Sequence, residues 1–505
     1  MALRDIPSIR RLSISAAGLL LLAGCSGGDD GTVDIAVIGT PASVFADDLR
    51  LSSGAQHVRA ATQSGLVALN AQGDVVPALA ETWLPADDGL SFYFRLRDTD
   101  WPDGTPMSAD TAAAALNRTI TALEGTSLGR DLVVIEEVRA MAGRVIEVRL
   151  SSPEPYLLQI LAQPELALRA EGGGTGPMVM TRLDAADRED SNAARLAFKP
   201  PDQRGLAMDE DWQEDVRTIT LTASDAESAI ARFDTGETDV VLGGTLGALP
   251  LVELGPLSTA TLRISATIGL FGLRIQREDG LLGNSGVREG LAMALDREAL
   301  LADFNLGGWV STTRPVYPDL PDDPGLVAER WADRPIEDLR SEAAARVASW
   351  RQQFDAEGGA NAAELSIHLP RGPGWEIFLG NLAEQFATIG ITLVRAESSA
   401  GADLLLIDRV ARYPSPRWFL NQFHCSLGRP CSEIADLKVE AALQQTDPLA
   451  RAALMAEAEA DLTLENIYIP IGSPLRWSLA RGSVEGFVPN IYAFHPLPQL
   501  AEIPR

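Results

Sequence analysis

The side chains with the most distinctive chemistry are three cysteines, because a thiolate can be acylated, oxidised to a disulfide or bound to a metal. Cys425 and Cys431 flank a Gly-Arg-Pro segment at residues 428–430, and such a turn can bring two thiols together. A disulfide across so short a loop stabilises a fold by roughly 2 kcal/mol at best. The alternative is a metal site with His424 as third ligand, for which the sequence shows no evident fourth ligand. The pattern favours the disulfide.

The third cysteine, Cys25, ends a segment that has the parts of a secretory signal. Three arginines among the first eleven residues form its basic part, and residues 14–22 form its apolar part. A membrane-spanning anchor is the alternative reading of this segment. The apolar run is well short of the roughly 20 residues that cross a bilayer, so a cleaved signal is favoured.

The residues just before the cysteine, Leu22-Ala23-Gly24-Cys25, resemble the lipobox of bacterial lipoproteins. In a lipobox the cysteine thiolate accepts a diacylglyceryl group before the signal is cleaved. We therefore expect a signal peptide over residues 1–24 and a lipid on Cys25. The polar, glycine-rich residues 25–31 would then form a flexible tether.

Motifs for catalysis or for a cofactor do not occur in the chain. There is no GxxxxGK[ST] loop, no GxGxxG after a strand, no HExxH and no GxSxG. His57, His368, His424 and His495 show no catalytic or metal spacing, and a lone histidine is more often structural. A carboxylate pair of the glycosidase type stays open, since Asp and Glu are abundant, but nothing singles one out. We expect no cofactor and no metal.

The composition is acidic, with 70 acidic against 42 basic side chains and a formal charge of −28 in 505 residues. This excess argues against nucleic acid or an anionic membrane surface as a partner, because both repel it. Solubility is the simpler alternative reason for the charge. The length exceeds what a single hydrophobic core serves, so two or three lobes are expected.

Hydrophobic periodicity predicts both strands and helices. Residues 89–97 alternate apolar and polar side chains, which indicates a strand with one buried face, and a helix follows with Ser108 as its N-cap. Residues 285–305 and 448–464 are predicted to be helical. The last residues, 484–504, are predicted to form short strands and loops.

Two strand–helix–strand units predict parallel strands with right-handed crossovers. The first has a strand around Ile219, a helix with Ser224 and Glu227 as its capping box, and a strand over residues 239–242. The second extends over residues 365–394. Because about 150 residues separate the units, two α/β lobes are the simplest arrangement.

Several segments match a known family in their order and spacing. They are VPALAETW at 76–83, the strand 90–97, WPDGTP at 101–106, AD at 109–110, GTGP at 174–177, VRE at 287–289, AMALDR at 292–297 and NIYIP at 466–470. Together they resemble the extracytoplasmic solute-binding proteins of the oligopeptide, dipeptide and nickel type, which serve ABC importers. The similarity covers nearly the whole chain after the signal.

The resemblance implies an α/β fold, the two-lobed clamp of class II periplasmic-binding proteins with an extra subdomain inserted in the first lobe. In such a clamp the lobes close over a solute, and a permease reads the closed shape. The expected division is a first lobe of residues 32–262 plus 477–505, with the subdomain inserted at about 56–170, and a second lobe of residues 263–476.

The function implied by the resemblance is that of a substrate-binding lipoprotein. It would be a monomer, lipid-anchored on the periplasmic side of the envelope, that captures a peptide or peptide-like solute for an ABC permease in the inner membrane. It would carry out no chemistry. The alternatives on the same fold are a non-transport envelope chaperone or sensor, and an envelope hydrolase, against which the missing nucleophile–base set argues.

Two departures from the family pattern bear on the solute. Met178 follows the GTGP segment at the position where the family's run usually continues with tyrosine, and Gly176 and Met178 are candidates for solute contact. Arg412 occupies the position at which the peptide binders carry an aspartate that pairs with the peptide amino terminus, and Arg409 lies nearby. A guanidinium group repels an ammonium group and binds carboxylate or phosphate instead. We therefore expect an anionic or N-blocked solute.

The alternatives for Arg412 are an ion pair with one of the many acidic residues at the surface, or a match to the family that is shifted by a few residues. Trp375, Tyr413 and Trp418 are candidate apolar walls of the solute site, and core packing is the alternative for each.

Replacing Cys25 by alanine tests the lipid anchor. We expect Cys25→Ala to move the protein from the membrane fraction to the soluble fraction, because stable anchoring requires the acyl chains. Fractionation and immunoblotting measure the distribution, with Ser26→Ala as the control that stays in the membrane. A Cys25→Ala protein that remains membrane-bound would contradict the lipoprotein assignment.

Overall fold

The computed structural model describes residues 31–169, 173–183, 192–253, 261–356 and 363–503. The expected signal peptide, Cys25 and all of the expected tether except Gly31 lie outside these residues. Within the described residues, no helix is both long enough and apolar enough to cross a bilayer.

One part of the molecule is a seven-stranded mixed sheet with its helices, which we call the first lobe. Its three central strands run parallel, which confirms the parallel strands of the first predicted unit, and antiparallel strands extend both edges. In spatial order the strands are β12 (Leu262–Ala266), β18 (Leu475–Ala480), β11 (Val240–Thr245), β1 (Thr32–Ile38), β10 (Thr218–Ser224), β9 (Ala193–Phe198) and β8 (Met178–Arg182).

Helices cover both faces of this sheet. Alternating side chains of β1 bury Val33, Ile35 and Val37 on one face, where helices from the two ends of the chain pack, and Ala36 on the other. The helices of the first lobe are α1 (Pro41–Val44), α2 (Ser53–Thr62), α6 (Ala226–Thr235) and α14 (Leu497–Ala501).

An inserted subdomain follows α2 and is built on an antiparallel sheet in the order β4 (Ala80–Pro85), β5 (Ser91–Leu96), β7 (Val145–Leu150) and β6 (Ile135–Ala140). A hairpin of β2 (Val67–Leu69) and β3 (Val75–Pro77) precedes it. The predicted strand within 89–97 is confirmed, with Phe94 and Leu96 fully buried. The subdomain helices are α3 (Ala109–Ala122), α4 (Ser127–Leu132) and α5 (Leu157–Leu161).

A five-stranded sheet forms the second lobe in the order β15 (Thr392–Arg395), β14 (Glu364–His368), β16 (Leu404–Val410), β13 (Gly269–Ile275) and β17 (Tyr468–Gly472). The parallel pairing of β14 with β15 confirms the second predicted crossover. Its helices are α7 (Ser285–Ala294), α8 (Arg297–Leu300), α9 (Ile336–Ala356), α10 (Pro373–Ala387), α11 (Pro416–Asn421), α12 (Glu433–Leu443) and α13 (Pro448–Glu465).

The chain passes between the two large sheets at residues 267–268 and again at 473–474. The passages are adjacent, since the Thr267 hydroxyl donates a hydrogen bond to the carbonyl of Pro474. Two neighbouring connections of this kind can act as a hinge. The lobe boundaries expected after residues 262 and 476 differ by a few residues from these passages and stay a prediction.

Three details of the predicted elements were wrong. Ser224 does not cap α6, because it still pairs with Ile38 at the end of β10, and the Asp225 carboxylate accepts the Ser228 N–H at 2.9 Å instead. The predicted helix 285–305 is broken after α7, where Asp296 caps α8 and exchanges hydrogen bonds with Gln385. The C-terminal segment ends in α14, which packs on the first lobe. By contrast, the predicted cap at Ser108 is confirmed by the Ser108–Thr111 capping box of α3.

Cys425 and Cys431 are joined by a disulfide, with their Cα atoms 5.1 Å apart. Neither thiol is therefore available as a metal ligand together with His424. The His424 imidazole instead contacts the hydroxyl of Ser426 at 2.8 Å.

Candidate functional site

The candidate solute residues lie at two adjacent places. Gly176 and Met178 line a cavity of 1390 Å³ on the first-lobe side, whereas Arg412, Tyr413 and Trp418 lie where the second lobe meets the inserted subdomain. Gln163 connects the two places, since it lines the cavity and also contacts Arg412.

The first-lobe cavity, as we call it, lies between α2, the β2–β3 hairpin, the loop 97–104 and the neighbouring ends of β8 and β9. Much of its wall comes from the segments that carry the family resemblance. The loop 101–106 is held by the Asp103 carboxylate, which accepts the Thr105 N–H at 2.9 Å, and by the Trp101 indole, which donates to Thr111 at 3.0 Å. These segments therefore shape the cavity through turns and packing.

The GTGP segment closes the cavity against the end of α2. A Cβ atom on Gly174 would lie 1.8 Å from the Thr62 carbonyl oxygen, and one on Gly176 would lie 2.3 Å from the Thr62 carbonyl carbon. Only glycine permits this approach. Thr175 fixes the same contact, because its hydroxyl accepts the Ser64 N–H at 3.0 Å and donates to the Leu168 carbonyl at 3.0 Å.

The second place is a polar interface between the inserted subdomain and the second lobe. Arg412 forms a bidentate ion pair with Glu165, with nitrogen–oxygen distances of 2.8 and 2.9 Å, and the Gln163 side-chain oxygen accepts a third hydrogen bond at 3.0 Å. Burial alone would raise the pKa of Glu165, but the Arg412 guanidinium overrides this and holds that pKa below its usual value. Both groups are charged, and each satisfies the other.

Arg417 and Asp131 form the deeper part of the polar interface. Arg417 pairs with Glu154 and also donates to the Asp131 carbonyl at 3.1 Å. The Asp131 carboxylate accepts the Tyr413 hydroxyl at 2.9 Å and the Asn421 amide at 2.7 Å. Burial raises the pKa of Asp131 to about 6, although Arg417, Asn421 and Tyr413 each oppose that rise.

The other predicted solute residues of the second lobe differ in how far they are buried and in what they contact. Tyr413 and Trp418 are 0 % and 1 % exposed, and the Tyr413 ring stacks on Tyr156 of the subdomain at 5.6 Å between centroids. Arg409 is exposed and bonds to the Gln422 side chain. Trp375, near the start of α10, packs against Gly247, which follows β11. Contact of these residues with a solute stays a prediction.

The partners on the subdomain side were missed by sequence reasoning. Asp131, Glu154 and Glu165 are three carboxylates among 70 acidic residues, and nothing in their local sequence separates them from surface acids. For Glu165 a local signal exists, because its neighbours Pro164 and Leu166 are apolar and indicate a buried segment. All three residues are buried in the fold.

Comparison with known proteins gives a family and a fold. Residues 74–426 match the family model described as "Bacterial extracellular solute-binding proteins, family 5 Middle". The oligopeptide-binding protein OppA of Bacillus subtilis (strain 168) is 21% identical over 292 residues, which is 51% of this chain and 52% of that protein. The nickel-binding periplasmic protein of Escherichia coli (strain K12) is 24% identical over 259 residues, 47% of this chain and 46% of that protein.

Both matches span about half the length of the curated relatives. Among solved structures, Haemophilus influenzae OppA in complex with the peptide RPPGFSPFR superposes with a TM-score of 0.76 at 17% identity, over 94% of this chain and 100% of the other. The fold is therefore the two-lobed fold of periplasmic binding proteins, as the sequence predicted.

The pKa of Asp131 predicts how stability depends on pH. In the unfolded chain this carboxyl titrates near 3.8, so between about pH 4 and 6 the folded protein holds a proton that the unfolded chain has lost. This contribution to stability, at most about 3 kcal/mol, is present at pH 4 and lost as pH rises to 6. We therefore compare the melting temperatures of the wild type and Asp131→Asn at each pH. The difference, wild type minus variant, should decrease as the pH rises from 4 to 6. Parallel pH profiles for the two proteins would contradict the assignment.

Proposed function

Because the chain belongs to family 5 of the bacterial extracellular solute-binding proteins, we propose that it is the solute-capturing component of an ABC importer. It binds a peptide or peptide-like solute outside the cytoplasm and delivers it to a permease in the inner membrane. Its relatives are solute-binding proteins and not enzymes, and we propose the same for this chain.

The observation that carries this proposal is the polar interface. Its carboxylates come from the inserted subdomain and its guanidinium groups come from the second lobe, so the pairs exist only while these two parts are in contact. In an open arrangement water would solvate the same groups. A clamp with such an interface has two alternative states, which is the property that a permease can read.

The interface also bears on the class of solute. Arg412 lies where the resemblance places the aspartate that holds a peptide amino terminus, and its charge is matched by Glu165 within the protein. A peptide ammonium group would meet a guanidinium group there, and the neighbouring Glu165 carboxylate is already paired with it. We therefore propose an anionic or N-blocked peptide as the solute. The relatives that bind peptides, OppA of B. subtilis and of H. influenzae, support the peptide class.

The position of the protein in the cell follows from the expected signal. We propose a monomer that is anchored by a lipid on Cys25 and held on the periplasmic side of the envelope, with residues 25–31 as its tether. The lobes are proposed to comprise residues 32–262 plus 477–505 and residues 263–476. The inserted subdomain and the second lobe each contribute one side of the polar interface, and we propose that closure of the lobes encloses the solute.

Uptake of paired peptides tests this function. In a strain that lacks the gene, we expect uptake of radiolabelled N-acetyl-trileucine to fall to background and to return with the wild-type gene. With the purified protein, calorimetry should show that unblocked trileucine binds roughly tenfold or more weakly, because an ammonium group beside Arg412 costs at least about 1.4 kcal/mol.

Two results would contradict the proposal. Unchanged uptake of the blocked peptide in the deletion strain would remove the transport role. Equal affinity for the blocked and the free-amine peptide would show that Arg412 does not select against the amino group.

A further inference from the structure

The first-lobe cavity contains two cations that form no ion pair with the described residues of the protein. Lys199 is half-buried, and its ammonium group donates only to the Gly174 carbonyl at 2.6 Å. Arg204 is also half-buried and lies over the Phe198 ring at 5.5 Å. Among the described residues, no carboxylate oxygen lies within the 4.0 Å of an ion pair from either group. In a chain with 70 acidic residues this lack of partners is unusual.

The acidic residues of the cavity are at its rim and not in its interior. Asp47 is 73% and Asp98 is 95% exposed, and each already pairs with an arginine. Asp100, Asp202 and Glu502 are exposed as well. Water therefore screens most of these acids, and Glu502 only partly offsets the lowering of the Arg204 pKa that burial causes. The cations lie in a less polar environment, in which charges interact more strongly. Burial lowers the pKa of Lys199, which is the response of an ammonium group that lacks a counter-ion.

About half of the wall is apolar. Aromatic and aliphatic side chains contribute to it, among them Phe45, Val58, Trp101, Met178, Phe198 and Phe494. At 1390 Å³ the cavity exceeds the roughly 300–1,000 Å³ of sites for drug-sized ligands. Apolar wall segments beside positive groups are complementary to a molecule with an apolar body and one anionic end.

We propose that the first-lobe cavity binds an amphipathic carboxylate, with Lys199 and Arg204 as the partners of its carboxylate group and the aromatic wall as the partner of its apolar body. An N-blocked hydrophobic peptide has this chemistry, and so has a fatty acid. This inference rests on the proposed function in one respect, namely that the ligand is the captured solute or a part of it.

The two lysines of the chain provide a direct test. Lys199 lies in the cavity, and Lys438 lies on α12, where it pairs with Glu457 and Asp461 at 3.1 and 2.7 Å. Reductive methylation followed by mass spectrometry reports the modified fraction of each. With N-acetyl-trileucine at ten times its dissociation constant, we expect dimethylation of Lys199 to fall about tenfold, because about a tenth of the sites stay free. Dimethylation of Lys438 should not change.

Three comparisons decide the result. The carboxamide of the same peptide should not protect Lys199, and equal protection by both would overturn the role of the carboxylate. Decanoate distinguishes the source of the anion: protection by the blocked peptide alone indicates a peptide ligand, and protection by both indicates that the apolar body need not be a peptide. Protection of Lys199 by neither carboxylate would overturn the proposal.

Variants separate recognition from folding. Lys199→Met should raise the dissociation constant of N-acetyl-trileucine about tenfold or more, since a hydrogen bond to a charged group contributes about 1.5–3 kcal/mol. Lys199→Arg should keep most of the affinity, and Lys438→Met should leave it unchanged. Equal affinities in all three variants would also overturn the proposal. Unchanged uptake in the deletion strain together with protection of Lys199 would refute the transport role and leave the cavity site standing.

Discussion

The contact on which the arrangement of the second lobe against the inserted subdomain depends is the ion pair between Arg412 and Glu165. Glu165 is fully buried and Arg412 is 22% exposed, so neither charge could stay at this position without the other. A buried pair of this kind adds little net stability, but the loss of one partner costs roughly 3–5 kcal/mol. Glu165 belongs to the inserted subdomain and Arg412 to the second lobe. Both charges are therefore paired only when the second lobe lies against the subdomain.

The rest of the interface follows the same rule. Arg417 requires Glu154, and Asp131 requires the Tyr413 hydroxyl and the Asn421 amide. Each donor comes from residues 411–424 after β16, and each acceptor from the subdomain. The cavity lies just beyond, behind Gln163, and its shape depends on the close approach of Gly174 and Gly176 to α2. The turns that carry the family resemblance and the charged interface thus lie on neighbouring sides of one region.

Much of the fold could be predicted because its signals are local. The alternation in residues 89–97 and the cap at Ser108 depend only on neighbouring residues, and both were confirmed. The capping box at Ser224 failed because strand pairing with Ile38 extended β10 by one residue beyond the local signal. The prediction of a long helix over 285–305 failed for a similar reason, since Gln385, 89 residues away in the chain, fixes the break at Asp296.

The candidate site was harder to predict than the fold. Arg412 could be singled out because the resemblance gave its position a meaning, but its partner Glu165 is 247 residues away and looks like any other acid. The same holds for Lys199, whose importance lies in the carboxylates that are not near it. Pairings over such separations are decided by the packing of lobes, which periodicity and spacing do not encode.

The most direct test of this account is the radius of gyration in solution, measured by small-angle X-ray scattering with and without N-acetyl-trileucine. The comparison needs the wild type, Glu165→Gln and a control, Glu433→Gln, whose carboxylate pairs with Arg429 on the exposed surface. Because the Arg412–Glu165 pair joins the second lobe to the subdomain, we expect the wild type and the control to become more compact with the peptide, whereas Glu165→Gln stays extended. Equal compaction of all three proteins would contradict it.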